Sequence, residues 1–161
     1  LMLWMQKVYG DQAPQAWQKL AKKTVTVTKG WSEAWGLFMK GESDLVLSYT
    51  TSPAYTLIEE HKDNLAAAGF SEGHYLQVEV AARLKNSKQP ELARQFLQFM
   101  ISPDFQNTIA TGNWMYPVIN TALPAGFETL VKPAATLQFT PEQVAQGRSS
   151  WINTWLNAGS R

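Results

Sequence analysis

Apolar residues recur at helical spacing from the first position of the chain. Leu1, Trp4, Met5, Val8 and Tyr9 share one face, and Gly10 follows as a stop. Pro14 is placed to open a short helix carrying Trp17 and Leu20. The period then changes. Thr24-Val25-Thr26-Val27-Thr28 alternates strictly, which predicts a strand ending at Lys29-Gly30. Ser32 stands as the cap of a helix over 33–40, with Trp35, Phe38 and Met39 on its apolar side and Gly41 at its end. Residues 44–49 predict a short, largely buried strand, because Leu45, Val46 and Leu47 follow one another without a polar break. Pro53 opens the next helix, running through Glu60.

Tyr75, Leu76, Val78 and Val80 mark a third strand. Gln89-Pro90 begins an amphipathic helix with Leu92, Phe96, Leu97, Phe99 and Met100, and Ser102-Pro103 restarts a shorter one towards Ala110. A loop-rich stretch over 111–140 holds Pro117, Pro124 and Pro133. Thr140-Pro141-Glu142-Gln143 predicts a capped start for a last helix bearing Val144, Trp151 and Trp155. Strands alternating with helices give an α/β fold class. No capping residue precedes the first helix to satisfy its opening amides. The chain therefore reads as the later part of a longer protein, cut inside or just before a helix.

A length of 161 residues fits one domain and allows a sizeable core. Lys and Arg number 14 against 13 Asp and Glu, for a net charge of +1, and the longest basic run is Lys22-Lys23. Nucleic-acid binding, which depends on neutralising phosphates, has no footprint here. With no cysteine, the chain has no disulfide framework, thiolate metal site or cysteine nucleophile of its own. No apolar run reaches the roughly 18–20 residues of a membrane span, and no basic-then-apolar signal peptide opens the chain. Glu59-Glu60-His61-Lys62-Asp63 reads as a solvated cluster at a helix end rather than a catalytic one. His74 has no ligand partner at metal spacing, and Ser48, Ser52 and Ser71 lack a nucleophile elbow. An enzyme finds no support in these patterns.

Aromatic residues at turns are the most informative feature. Trp31 follows Gly30, Tyr49 and Tyr55 bracket Thr50-Thr51-Ser52-Pro53-Ala54, and Trp114 sits within Gly112-Asn113-Trp114-Met115-Tyr116-Pro117. Any one such ring can cover a core edge or brace its turn. Three ring-bearing turns together point to a small-ligand site with a flat, cationic partner, since binding residues collect on loops held by a rigid scaffold. The turn at Gly30 leads from a strand into a helix, where free amides attract anions and Ser32 adds a hydroxyl. The turn at 50–52 repeats that arrangement, with Ser52 beside its own helix start.

The segments 26–34, 41–55 and 112–117 resemble the thiamine-binding periplasmic proteins of bacterial thiamine ABC transporters. The similarity runs over the whole chain, matched to the later half of such a protein. It implies a class II periplasmic solute-binding fold, in which two α/β lobes close on a ligand, with residues 1–161 as the C-terminal portion and the N-terminal half supplied elsewhere. It also implies a periplasmic location, delivery to ABC permease subunits, and thiamine or its mono- or diphosphate as ligand, with no cofactor. The family's aromatic contacts fall on Trp31, Tyr49, Tyr55 and Trp114. Tyr55 and Trp114 become the candidates for packing on the flat rings, Trp31 and Tyr49 for the phosphate-bearing end. Two alternatives share the fold. A thiamine-degrading enzyme needs a cysteine nucleophile, which this chain lacks and the other half would have to supply. A ferric-ion-binding transport protein needs adjacent tyrosines, and Tyr49 is followed by Thr50.

Overall fold

Where the apolar spacing is helical, helices form. The computed structural model describes residues 1–159. Its helices are α1 (Met2–Tyr9), α2 (Ala13–Ala21), α3 (Trp31–Met39), α4 (Ser52–Ile58), α5 (Pro90–Met100), α6 (Pro103–Gln106), α7 (Ile109–Gly112) and α8 (Pro141–Gly159). Two short strands, β1 (His74–Tyr75) and β2 (Thr136–Leu137), pair in parallel with His74 opposite Thr136. Three of the longer helices carry proline in the first turn, where its missing N–H costs nothing. The start of α8 is a reciprocal capping box. The Thr140 hydroxyl accepts the Gln143 N–H at 3.2 Å, and the Gln143 side chain accepts the Thr140 N–H at 2.9 Å.

Length alone leads to one domain, whereas the contacts divide the chain into two units. The first comprises 1–48, 69–76 and 133–161; the second comprises 49–68 and 77–132. In the first unit α1, α2 and α8 pack around Met5, Ala13, Trp17 and Ala158, with Trp4 and Trp155 against them. Trp4 Nε1 donates to the Gly73 carbonyl at 2.8 Å, tying α1 to the turn before β1. Gly73 has φ +92, and an added Cβ would lie 2.3 Å from the Ala135 carbonyl oxygen. Only glycine lets that backbone come so close to the residue leading into β2. Further along, Trp151 stacks on Phe139 and lies directly over Gly147 on α8. The second unit has its own smaller core of Ala54, Ala110, Phe127 and Leu130, flanked by Ile58 and Trp114.

The three predicted strands fare differently from the helices. Residues 24–28 and 44–49 form no strand, and of the third strand, marked by Tyr75, Leu76, Val78 and Val80, only Tyr75 lies in one, β1. Val25, Val27, Leu45, Leu47, Val78 and Val80 are exposed, Leu45 by 84% where a largely buried strand is expected. The physical reason is that a strand exists only with a ladder partner, while helix hydrogen bonds close within the segment. Within the described residues these segments have the composition of strands, alternating at 24–28 and continuously apolar at 45–47, but no ladder neighbour. The fold is therefore mixed helix and sheet, with most of the regular structure helical. Among the described residues, no helix is long and apolar enough to cross a membrane.

Candidate functional site

The candidate residues divide between the two units. In the first unit α3 begins at Trp31, two positions before the sequence expectation. Its N-cap is Gly30, in extended backbone at φ −150°, with no side-chain capping bond. Ser32 is therefore a residue of the first helical turn rather than the cap. The Thr28 hydroxyl donates to the Gly30 carbonyl at 2.7 Å and steadies the approach to the helix. Trp31 is about half exposed and held on two sides. Its Nε1 donates to the Ser48 hydroxyl at 3.2 Å, and its ring stacks on Trp35 with centroids 5.1 Å apart and planes 27° from parallel. One face of the Trp31 indole is thus covered by Trp35.

Trp35 was not among the sequence candidates. Its contact follows from the helix starting at Trp31, because positions 31 and 35 then lie one turn apart on one face. Glu33 also alters the expected chemistry of this turn. Its Oε2 lies 3.2 Å from where a Cβ on Gly30 would be, so a carboxylate already stands beside the helix N-terminus. A negative side chain in the first turn is favourable there. It also competes for the position where an anionic ligand group would sit.

In the second unit, Tyr49, Thr51, Ser52 and Tyr55 belong to one turn entering α4. The N-cap is Thr51, again without a side-chain capping bond, and Pro53 falls in the first turn. Ser52 bonds backwards. Its hydroxyl accepts the Tyr49 N–H at 3.2 Å, and its own N–H donates to the Tyr49 carbonyl at 3.1 Å. This pair of bonds fixes the turn from which Tyr49 projects. Thr51 is buried, and its hydroxyl has no hydrogen-bond partner. An unpaired buried hydroxyl costs about 1–3 kcal/mol, and the alternation of polar and apolar residues gave no hint of it.

Tyr55 and Trp114 are brought together. Their rings stand edge to face, centroids 5.3 Å apart and planes at 86°. In this arrangement no slot lies between them, so a flat ligand stacks on one ring and meets the edge of the other. Trp114 is half-buried, packs against the small core of this unit, and has φ +53. A bulky residue in the left-handed region is a genuine outlier, and such strain gathers at functional positions. The loop 113–117 is held in front by Asn113, whose N–H donates to Ile109, and behind by Val118, whose N–H donates to Gln106 Oε1 at 2.8 Å.

The Glu59–Asp63 cluster is solvated, as its composition implies. Lys62 pairs with Glu60 at 3.0 Å on the surface. His74 Nε2 accepts the Phe70 N–H at 3.4 Å and its ring lies against Phe70. Among the described residues no group of three or more His, Asp or Glu side chains gathers as a metal site.

Residues 4–107 match the family model described as bacterial extracellular solute-binding protein. A thiamine-binding periplasmic protein of Escherichia coli (strain K12) is 77% identical over 161 residues, which is all of this chain and 49% of that protein. The protein of the same description in Salmonella typhimurium is 76% identical over the same share. That of Haemophilus influenzae is 46% identical over 157 residues, 96% of this chain and 47% of its own length. A solved structure of a periplasmic thiamin binding protein aligns with a TM-score of 0.97 at 77% identity, covering 99% of this chain and 50% of the other. The chain spans about half the length of the curated relatives it matches.

Proposed function

Because this chain belongs to the bacterial extracellular solute-binding protein family, we propose that it forms the ligand-contacting C-terminal portion of a periplasmic thiamine-binding protein. That protein hands thiamine or its phosphate esters to the permease subunits of an ABC importer. The observation that carries this reading is the 77% identity, unbroken over the whole chain, to a relative named for binding thiamine. The ring geometry agrees with it chemically. Thiamine joins a permanently cationic thiazolium to a flat aminopyrimidine, and a desolvated cation–π contact is worth about 2 kcal/mol. Tyr55 and Trp114 offer a face and an edge for those rings. Trp31, Tyr49, Ser32 and Ser52 are the further contacts, with Trp31 and Tyr49 towards the phosphate-bearing end. The role is binding rather than catalysis, with no cofactor, in keeping with relatives named as binding proteins.

The test is titration calorimetry on this chain joined to the half of the Escherichia coli relative that it does not match. Thiamine, its monophosphate and its diphosphate are titrated in parallel, and the recovered ligand is examined for cleavage. Saturable binding of intact thiamine, much tighter than to the 161-residue chain alone, is expected. Absence of binding to the joined protein overturns the reading, and cleaved ligand favours the enzyme.

A further inference from the structure

Gln106 is the polar side chain in the second unit with the most to do and no role yet. It ends α6, is only 6% exposed, and uses both ends of its amide. Its Nε2 donates to the Met100 carbonyl at the close of α5 at 2.7 Å, and its Oε1 accepts the Val118 N–H at 2.8 Å. The first bond satisfies one of the carbonyls that every helix leaves unpaired at its C-terminus. The second grips the chain just after Trp114-Met115-Tyr116-Pro117. The next residue repeats the grip, since Asn107 Oδ1 accepts the Thr121 hydroxyl. Tyr116 meanwhile sets its ring edge on Phe127 at 5.7 Å.

These ties surround a residue that needs them. Trp114 at φ +53 is in a conformation an unrestrained loop would leave. From the buried amide, its two filled bonds and the strained tryptophan between the anchors, we infer that Gln106 is the positioning residue for Trp114. It locks the loop so that the indole meets the ligand already oriented. Preorganising a contact raises affinity by removing the ordering cost from the binding step. The inference rests on the thiamine-binding reading above and adds a residue that touches no ligand.

The experiment is a double-mutant cycle in the joined protein, using Gln106→Met, which keeps the length and loses both hydrogen bonds. Thiamine affinity is expected to fall roughly fivefold, the equivalent of one lost hydrogen bond. In a Trp114→Ala background the same change is expected to do nothing further, because the ring it positions is gone. Gln106→Leu, which also removes both hydrogen bonds at similar volume, serves if the Met variant does not fold. A second readout needs no ligand. With fluorotryptophan incorporated, the Trp114 resonance, identified by its loss in Trp114→Phe, should broaden or split in Gln106→Met. An equal loss of affinity in both backgrounds, or an unchanged resonance, overturns the positioning role. Failure of the parent to bind thiamine overturns the functional reading instead, and the resonance still decides about Gln106.

Discussion

Trp114 has a place on the core of its unit and, in the proposed function, a place against the ligand, and substitution separates the two. Its ring packs against Ala54, Ala110, Phe127 and Leu130 while meeting Tyr55 edge to face. Trp114→Ala is therefore expected to weaken thiamine binding by about 1–3 kcal/mol. It should also lower ligand-free stability by about 2 kcal/mol, below the usual cost for a fully buried ring. Trp114→Phe should keep most of both; urea unfolding and calorimetry on the same samples read the two effects. Affinity lost with stability unchanged would mean that the core contact is idle. The ring's presence at a turn was legible, because Gly112, Asn113 and Pro117 announce a loop. Its backbone strain and its place on a core were not, since both depend on residues 60 positions away in sequence or nearby only in space. At Gly30 and Ser32 the strand–glycine–helix pattern suggested an anion site, and the structure adds the Glu33 carboxylate beside that helix end. Glu33→Gln is thus expected to improve binding of thiamine phosphates relative to thiamine, measured as a ratio of dissociation constants at one ionic strength. An unchanged ratio would remove the phosphate from this turn.

At the level of elements, legibility followed where each element finds its hydrogen bonds. The helices from Pro90 and Pro141 were readable because proline, cap and periodicity all act within the segment. The strands were not, because Val25 and Leu45 carry a strand's composition while the partner that would complete it is not encoded locally. The strand pair that does form depends on Gly73. Gly73→Ala should cost the first unit at least about 2 kcal/mol, combining a left-handed backbone penalty with collision against Ala135. Urea unfolding followed by tryptophan emission checks this; a variant as stable as the parent would show that β1 and β2 separate freely. The start of α8 makes a pH prediction. A bond to its own backbone N–H, then one to the Thr140 hydroxyl, hold the Glu142 carboxyl below the usual carboxylate range. A lowered folded value means that its support is complete above the ordinary carboxylate pKa and fades as pH falls through the lowered one. Circular dichroism of Glu142→Gln against the parent should differ at neutral pH and converge in acid.

For the whole molecule, the division into two units was only partly legible. The chain passes between units after residues 48, 68, 76 and 132; Gly69 and Pro133 stand at two of these points, whereas Ser48-Tyr49 closes an apolar run and Leu76-Gln77 lies within a strand pattern. Composition marks a boundary where the chain is free to be polar and flexible, and at Leu76-Gln77 it carries no such mark. The same interleaving has a consequence for how the protein comes into being. Unit one opens the sequence with α1 and α2, yet its core is closed by Ala158 and Trp155 near the far end. A ribosome, or a secretion channel passing the chain N-terminus first, releases α1 and α2 long before α8 arrives to cover Met5 and Trp17. Until α8 emerges, α1 and α2 must therefore wait with their shared core unfinished, and α8 then closes over Met5 and Trp17. Such a nascent chain is well suited to being held unfolded until export is complete.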